Sequence, residues 1–150
     1  MGGAARMTKH GEGSGLPLHE PSTWLVIALA GVFVLLGVLF IFAPRPAAAL
    51  FGIAAPEDPG LSYVSAIGLR DLAFGAYLAA LSRLSTRRAV GTVLGLTVLI
   101  PAGDVVLVLL ERGFESPKHL LLHAGSGLVM AVSSFWLLAQ SSHDNKGGFS

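Results

Sequence analysis

The sequence of 150 residues contains no cysteine. This absence excludes disulfide bridges, thiolate metal ligands and a cysteine nucleophile, and it leaves the redox compartment undetermined. Charge is also scarce, since only 13% of the residues are Asp, Glu, Lys or Arg and the formal net charge is +1. The basic residues are scattered along the chain, whereas a nucleic-acid surface needs them on one face. We therefore do not expect nucleic acid as a partner.

Apolar residues are abundant instead: 53% of the chain is hydrophobic and the mean hydropathy is +0.69. These values predict a lipid bilayer as the surroundings of the chain. Four apolar runs are long enough to cross a hydrocarbon core of roughly 30 Å as helices, at about residues 24–42, 61–84, 89–110 and 118–140. The sequence thus predicts an all-α integral membrane bundle of four transmembrane helices.

The first run raises one alternative, because a cleaved signal peptide also begins with an apolar segment. Residues 24–42 are uncharged over a length that exceeds the usual signal-peptide core of about 7 to 15 residues. We therefore interpret this run as a spanning helix. Residues 22–140 form the predicted transmembrane domain, and the polar tails 1–21 and 141–150 are predicted to be disordered.

Between the first and second runs lies a shorter apolar segment, residues 47–55, which follows two prolines. It is too short to span a bilayer. The sequence predicts a short interfacial or re-entrant segment between helices 1 and 2, with an ordinary loop as the alternative.

Basic residues outside the four runs are distributed unequally. Four spans place both termini on one side, and this side has six basic residues against three on the other: Arg6, Lys9, Arg83, Arg87, Arg88 and Lys146 against Arg45, Arg112 and Lys118. The positive-inside rule then predicts that both termini are cytoplasmic. We expect the chain in a cell membrane, the inner membrane of a bacterium.

Small residues recur on the predicted helices. Gly68 and Gly75 are seven residues apart on the second, and Gly91 and Gly95 are four apart on the third. Such spacing allows the backbones of membrane helices to approach closely. The pattern predicts tight helix packing and a possible homo-oligomer through these faces.

Four polar side chains interrupt the apolar runs: Arg70, Asp71, Asp104 and His123. Counted from the outer ends of their helices, Arg70 lies about 13 Å deep and Asp104 and His123 about 9 Å deep. Charged groups at such depth are costly in lipid and indicate a functional site by default. We expect all four to face one region that opens toward the outer half of the bilayer.

One hypothesis for this site is acid–base chemistry on a lipophilic small molecule, such as isomerisation, epoxide opening or cyclisation. Asp104 and Asp71 would act as acid and base with His123 as the proton relay, since neighbouring carboxyl groups in different surroundings take different roles. Four further side chains are expected to bind the substrate together with Arg70, namely Tyr63, Tyr77, His119 and Ser126.

Three alternatives stay open. Arg70 and Asp104 can form a purely structural ion pair, with Asp71 and His123 completing its hydrogen bonds. Alternatively, Asp104 and His123 can titrate in a proton-linked transport or ligand-binding protein. A metal site would use His119 and His123, which have helical ligand spacing, with Asp104 or Glu111. Paired histidines are common without metal, so we expect neither a metal nor a cofactor.

Three segments carry a family resemblance: residues 68–75, 100–104 and 123–125. Their sequences are GLRDLAFG, IPAGD and HAG. Over roughly residues 22–140 the chain resembles the small four-span membrane proteins of the domain of unknown function 4267, and it is more distantly similar to DoxX-like membrane proteins. The resemblance supports the fold and the site and implies no particular reaction.

Overall fold

The computed structural model describes residues 15–52 and 58–147. In this part of the chain all regular structure is helical. The helices are α1 (Pro21–Phe42), α2 (Pro44–Phe51), α3 (Asp58–Leu84), α4 (Arg87–Thr97), α5 (Leu99–Arg112), a 3-10 turn (Gly113–Glu115) and α6 (Pro117–Gly147).

Four stretches are long and apolar enough to cross a membrane: Pro21–Phe42, Gly60–Leu84, Arg87–Glu115 and Pro117–Ser142. The predicted four-span, all-helical architecture is therefore confirmed. Many large apolar side chains point outward, among them Leu35, Leu110 and Leu121, each at least 70% exposed. An apolar exterior of this kind suits lipid rather than water as the solvent.

Prolines and one glycine set the boundaries of α1 and α2. α1 ends at Phe42, because Pro44 has no amide hydrogen with which to continue the helix and instead begins α2. α2 ends at Gly52, whose φ of 79° is readily adopted by glycine. The predicted short segment between helices 1 and 2 is thus helical over Pro44–Phe51, and residues 53–57 of it lie outside the described part.

The third span is broken, although its sequence predicts one helix. α4 ends at Thr97 and α5 begins at Leu99. Pro101 lacks the amide hydrogen that would bond to the Thr97 carbonyl, and its ring crowds that carbonyl. The interruption is limited to Val98, which keeps right-handed helical dihedral angles, and it lies less than two turns before Asp104.

Both ends of the domain differ from the expected boundaries. Residues 15–20 precede α1, and the amide of Leu16 donates to the Ser82 carbonyl at 2.8 Å. Ser22 and Thr23 lie inside the first turn of α1 and are buried. α6 continues past Gln140 to Gly147. Disorder of residues 1–14 and 148–150 stays a prediction, because these residues lie outside the described part.

Glycines bring the helices together in two pairs. A Cβ on Gly75 would lie 2.8 Å from the Ala30 oxygen of α1, and one on Gly91 would lie 3.1 Å from Leu137 of α6. The predicted close packing at these glycines is confirmed, and it occurs within the chain. Oligomerisation through the same faces stays a prediction.

Two apolar clusters lie at different levels of the bundle. The larger joins α1, α3, α4 and α6 near the end where the N-terminal segment packs, through Val26, Ala30, Leu78, Val90, Leu94, Met130 and Leu137. The smaller lies around α2 at the other end and contains Phe40, Ala47, Ala48 and Val64. Along α3, Arg70 and Asp71 lie between Val64 and Leu78, so the polar side chains occupy the level between the clusters.

Candidate functional site

Arg70 and Asp71 form an ion pair on α3. Arg70 donates from Nε to Asp71 Oδ1 at 3.0 Å, and its Nη2 lies 3.0 Å from the same oxygen. The Asp71 side chain is only 7% exposed, whereas that of Arg70 is 49% exposed. The buried carboxylate therefore holds a guanidinium that still presents half of its surface outside the packed helices.

Asp104 of α5 contacts His123 of α6. The Oδ2 atom of Asp104 lies 3.5 Å from Nδ1 of His123. The side chain of His123 is 4% exposed, and that of Asp104 is 33% exposed. Of this pair, the carboxylate is the member that an outside molecule can reach.

The two pairs are close enough to interact. Asp104 acts electrostatically on Asp71, although α3 and α5 themselves hardly touch. The side chains form two pairs, Arg70 with Asp71 and Asp104 with His123, and the expected meeting of all four at one site stays a prediction. Among the described side chains there is no Arg70–Asp104 ion pair, because Asp71 is adjacent to Arg70 and α5 turns Asp104 toward α6.

The ring of His123 is held on both sides. Its Nε2 lies 3.1 Å from the carbonyl oxygen of Phe51, at the carboxyl end of α2. The Phe51 ring lies 5.4 Å from the His123 ring and 4.8 Å from the ring of Phe40. Both ring nitrogens of His123 therefore face an oxygen, and its orientation is determined by α2 and α5 together.

His119 makes the equivalent contact one helical turn earlier. Its Nε2 lies 3.3 Å from the carbonyl oxygen of Ala49, and its Nδ1 is buried with no hydrogen-bond partner. The Ala49 carbonyl also accepts from the Gly52 amide at 3.3 Å, so His119 adds a second contact there, and both histidines contact carbonyl groups in the last turn of α2. Sequence reasoning missed these carbonyls, although Gly52 and the two prolines of residues 44–46 mark the limits of a short helix.

The other predicted ligand-binding residues are dispersed. Tyr63 and Tyr77 lie on the same face of α3 as Arg70, and they are 77% and 64% exposed. Ser126 donates to the His123 carbonyl of its own helix at 2.8 Å. The face of α3 is thus open around Arg70, whereas the Ser126 hydroxyl serves the backbone of α6.

A metal centre is not formed by these side chains. Among the described side chains, those of residues 15–52 and 60–142, no group of three His, Asp or Glu is placed to hold a metal ion. The Nε2 atoms of His119 and His123 face backbone carbonyls. The exposed Glu111 belongs to no such group.

The model of the domain of unknown function DUF4267 matches residues 30–137, more than two thirds of the chain. The chain belongs to the DUF4267 family. No curated protein and no solved structure matches it. In this DUF4267 family member, Arg70, Asp71, Asp104 and His123 all fall inside the matched region. The helices that carry the site are therefore those of the family domain.

Proposed function

We propose that this protein binds a lipophilic small molecule with a polar oxygen group at the opening between α3 and α5, and that Asp104 exchanges a proton with it. The observation that supports this proposal is the Asp104–His123 contact of 3.5 Å, in which one third of the carboxylate side chain stays accessible. A carboxyl group that contacts a buried imidazole and also reaches an outside molecule is suited to general acid–base catalysis.

The geometry assigns different roles to the two members of this contact. His123 already faces oxygens with both nitrogens, so it acts as a positioning residue for Asp104. Oδ2 of Asp104 contacts His123, and the second carboxyl oxygen, Oδ1, contacts the substrate. It is the group that delivers or removes the proton.

Arg70 supplies the binding group on the opposite helix. Its guanidinium is half exposed and is oriented by the buried Asp71. It donates hydrogen bonds to an oxygen of the substrate, such as an epoxide, carbonyl or hydroxyl oxygen. Tyr63 and Tyr77, on the same open face of α3, contact the apolar body of the molecule.

The reaction classes that need no more than these groups are isomerisation, epoxide opening and cyclisation. Each uses an acid to protonate the substrate at one atom and a base to remove a proton or to activate water. The protein carries out this chemistry in a cell membrane, with both termini cytoplasmic and the site in the outer half of the bilayer.

The test uses purified protein in lipid nanodiscs with a total lipid extract of the expression host, in heavy water. Mass spectrometry should detect a product that carries solvent deuterium after isomerisation or cyclisation, or one heavier by a water after epoxide opening. Asp104→Asn should abolish this product while the protein stays folded. Glu111→Gln, an exposed carboxylate on the same helix, should leave it unchanged.

Binding is measured separately by native mass spectrometry of lipophilic molecules retained by the purified protein. Wild type, Asp104→Asn and Glu111→Gln should retain such a molecule, and Arg70→Leu should lose it. A folded wild-type protein that retains nothing and converts nothing would overturn the proposal. An unchanged product in Asp104→Asn would exclude Asp104 as the acid–base group.

A further inference from the structure

The carboxyl end of α2 is attached to α6 by two histidine side chains. His123 contacts the Phe51 carbonyl at 3.1 Å, and His119 contacts the Ala49 carbonyl at 3.3 Å. A Cβ on Gly52 would lie 2.7 Å from the His119 ring, so the end of α2 lies directly against α6. Beyond these contacts and the Phe51 ring, α2 has little packing against α6. α2 also packs on α1 and α3 through the cluster of Ala47 and Ala48, so the two imidazoles supply the polar part of the contact that holds this end of α2 to α6.

A neutral His123 beside an ionised Asp104 cannot make both of its contacts as hydrogen bonds. The pair can make both when it carries one additional proton. A carbonyl oxygen only accepts hydrogen bonds, so the contact with Phe51 requires hydrogen on Nε2. In a neutral imidazole Nδ1 is then bare, and it faces Oδ2 of Asp104 at 3.5 Å. If Asp104 is ionised, two lone pairs face each other. One added proton, on either atom, turns this contact into a hydrogen bond and keeps the bond to Phe51.

Without the added proton, the single hydrogen of His123 can serve only one of its two neighbours. A hydrogen bond to a carboxylate is roughly twice as strong as one to a neutral carbonyl. The hydrogen therefore moves to Nδ1, facing Asp104, and Nε2 becomes an acceptor opposite the Phe51 carbonyl. The attachment of α2 at Phe51 is lost.

We infer that Asp104 and His123 together form a proton-binding site, and that the bound proton holds the carboxyl end of α2 against α6. When the proton is released, the carboxyl end of α2 loses its contact with His123 and can move away from α6. This end of α2 lies near the Asp104 side chain, because both contact His123. Protonation therefore controls the arrangement of the helix that covers His123. The inference does not require a substrate and stands apart from the proposed acid–base chemistry.

Among the side chains that the structure describes, few charged groups neighbour His123. From α5 only Asp104 meets His123, and from α3 Asp71 acts on Asp104 while paired with Arg70. α1 contains no ionisable side chain, and Arg45 of α2 is exposed.

On α6 itself the nearest titratable group is His119. In neutral His119 the single ring hydrogen can stay on Nε2 and donate to the Ala49 carbonyl. No acceptor at Nδ1 competes for this hydrogen. His119 thus needs no added proton and serves as an internal control.

The test measures the distance between α2 and α6 by pulsed electron–electron resonance. Spin labels are attached to Leu50→Cys and Leu121→Cys, two exposed positions in a chain without native cysteine. The ligand-free protein in nanodiscs is compared at about pH 5 and about pH 8, the range over which histidine ordinarily changes charge. We expect the population at longer distance to rise about fivefold at the higher pH, the change expected for the loss of one hydrogen bond.

Two variants should abolish the response in defined ways. In Asp104→Asn the side-chain amide donates to Nδ1 while Nε2 keeps its hydrogen, so α2 should stay attached at both pH values. In His123→Gln the amide donates to Phe51 without titrating, so the distance should again be independent of pH. His119→Gln and Glu111→Gln should respond as the wild type does.

A wild-type distance that does not change with pH would overturn the inference. So would an unchanged response in both Asp104→Asn and His123→Gln, or its disappearance in His119→Gln alone. Because no substrate is present, failure of the proposed chemistry leaves this result unaffected. Conversely, a negative distance result leaves the proposed chemistry standing.

Discussion

Gly37 of α1 and Gly68 of α3 face each other so closely that a Cβ on Gly68 would lie 2.8 Å from the Gly37 carbonyl oxygen. The same atom would lie 2.7 Å from Cβ of Phe40. No side chain fits at this distance without movement of a helix backbone. The α1–α3 pair, which carries Arg70 and Asp71, is thus positioned by contacts between backbones.

The first prediction concerns this contact. Gly68→Ala should lower stability by about 1 to 3 kcal/mol, because an added methyl group in a packed interface forces the backbones apart. Gly31→Ala is the matched control, since nothing lies within 4 Å of a Cβ at that position of α1. It should leave stability unchanged or slightly raised. Thermal unfolding in one detergent measures both, and equal effects of the two substitutions would contradict the packing.

The second prediction concerns the side-chain pairs of the site. Asp104→Leu and His123→Leu should be non-additive, with an interaction energy of about 0.5 to 3 kcal/mol, because Asp104→Leu leaves the buried Nδ1 of His123 without its partner, and His123→Leu leaves the half-buried Asp104 carboxylate without its partner. Arg70→Leu and Asp104→Leu should show a smaller interaction energy, since Arg70 pairs with Asp71. Two double-mutant cycles, in which the free energy of unfolding is measured for each variant, give the two interaction energies to be compared. A larger value for Arg70–Asp104 would mean that the two side chains meet directly.

The third prediction concerns the opposite end of the bundle. Glu20, just before α1, forms an ion pair with Arg87 at the start of α4, and both side chains are largely buried. Arg87→Gln should weaken the docking of residues 15–20 by about 1 to 3 kcal/mol and increase proteolysis before Pro21. Arg88→Gln is the control at the neighbouring, exposed position. Similar cleavage rates in both variants would show that the ion pair does not hold this segment.

The fourth prediction concerns topology. Ser85→Cys lies between α3 and α4, and Ser116→Cys lies before α6, on opposite ends of the bundle. In intact cells a membrane-impermeant maleimide should label Ser116→Cys, and it should label Ser85→Cys only after the cells are opened. The positive-inside rule is the reason for this direction. Labelling of both positions from the outside would contradict four spans, and the reverse pattern would contradict only their orientation.

The sequence alone determined the number and the approximate limits of the spans, because apolar runs of sufficient length have few other stable solutions in lipid. The rise per residue of a helix also predicted that Asp104 and His123 lie at the same depth, and their side chains are in contact. The close packing at Gly75 and Gly91 followed from the spacing of small residues as well.

Tertiary structure decided which groups pair. Arg70 turns to Asp71 and Asp104 turns to His123, because rotation and tilt of each helix depend on contacts that are distant in the chain. The packing of α5 on α6 brings Asp104 to His123, and the Gly37–Gly68 contact positions α3. The attachment of α2 to His119 and His123 uses backbone carbonyls, which every residue possesses and no sequence pattern singles out. For that reason only the folded arrangement shows the Asp104–His123 pair, together with the Phe51 carbonyl that its protonation would engage.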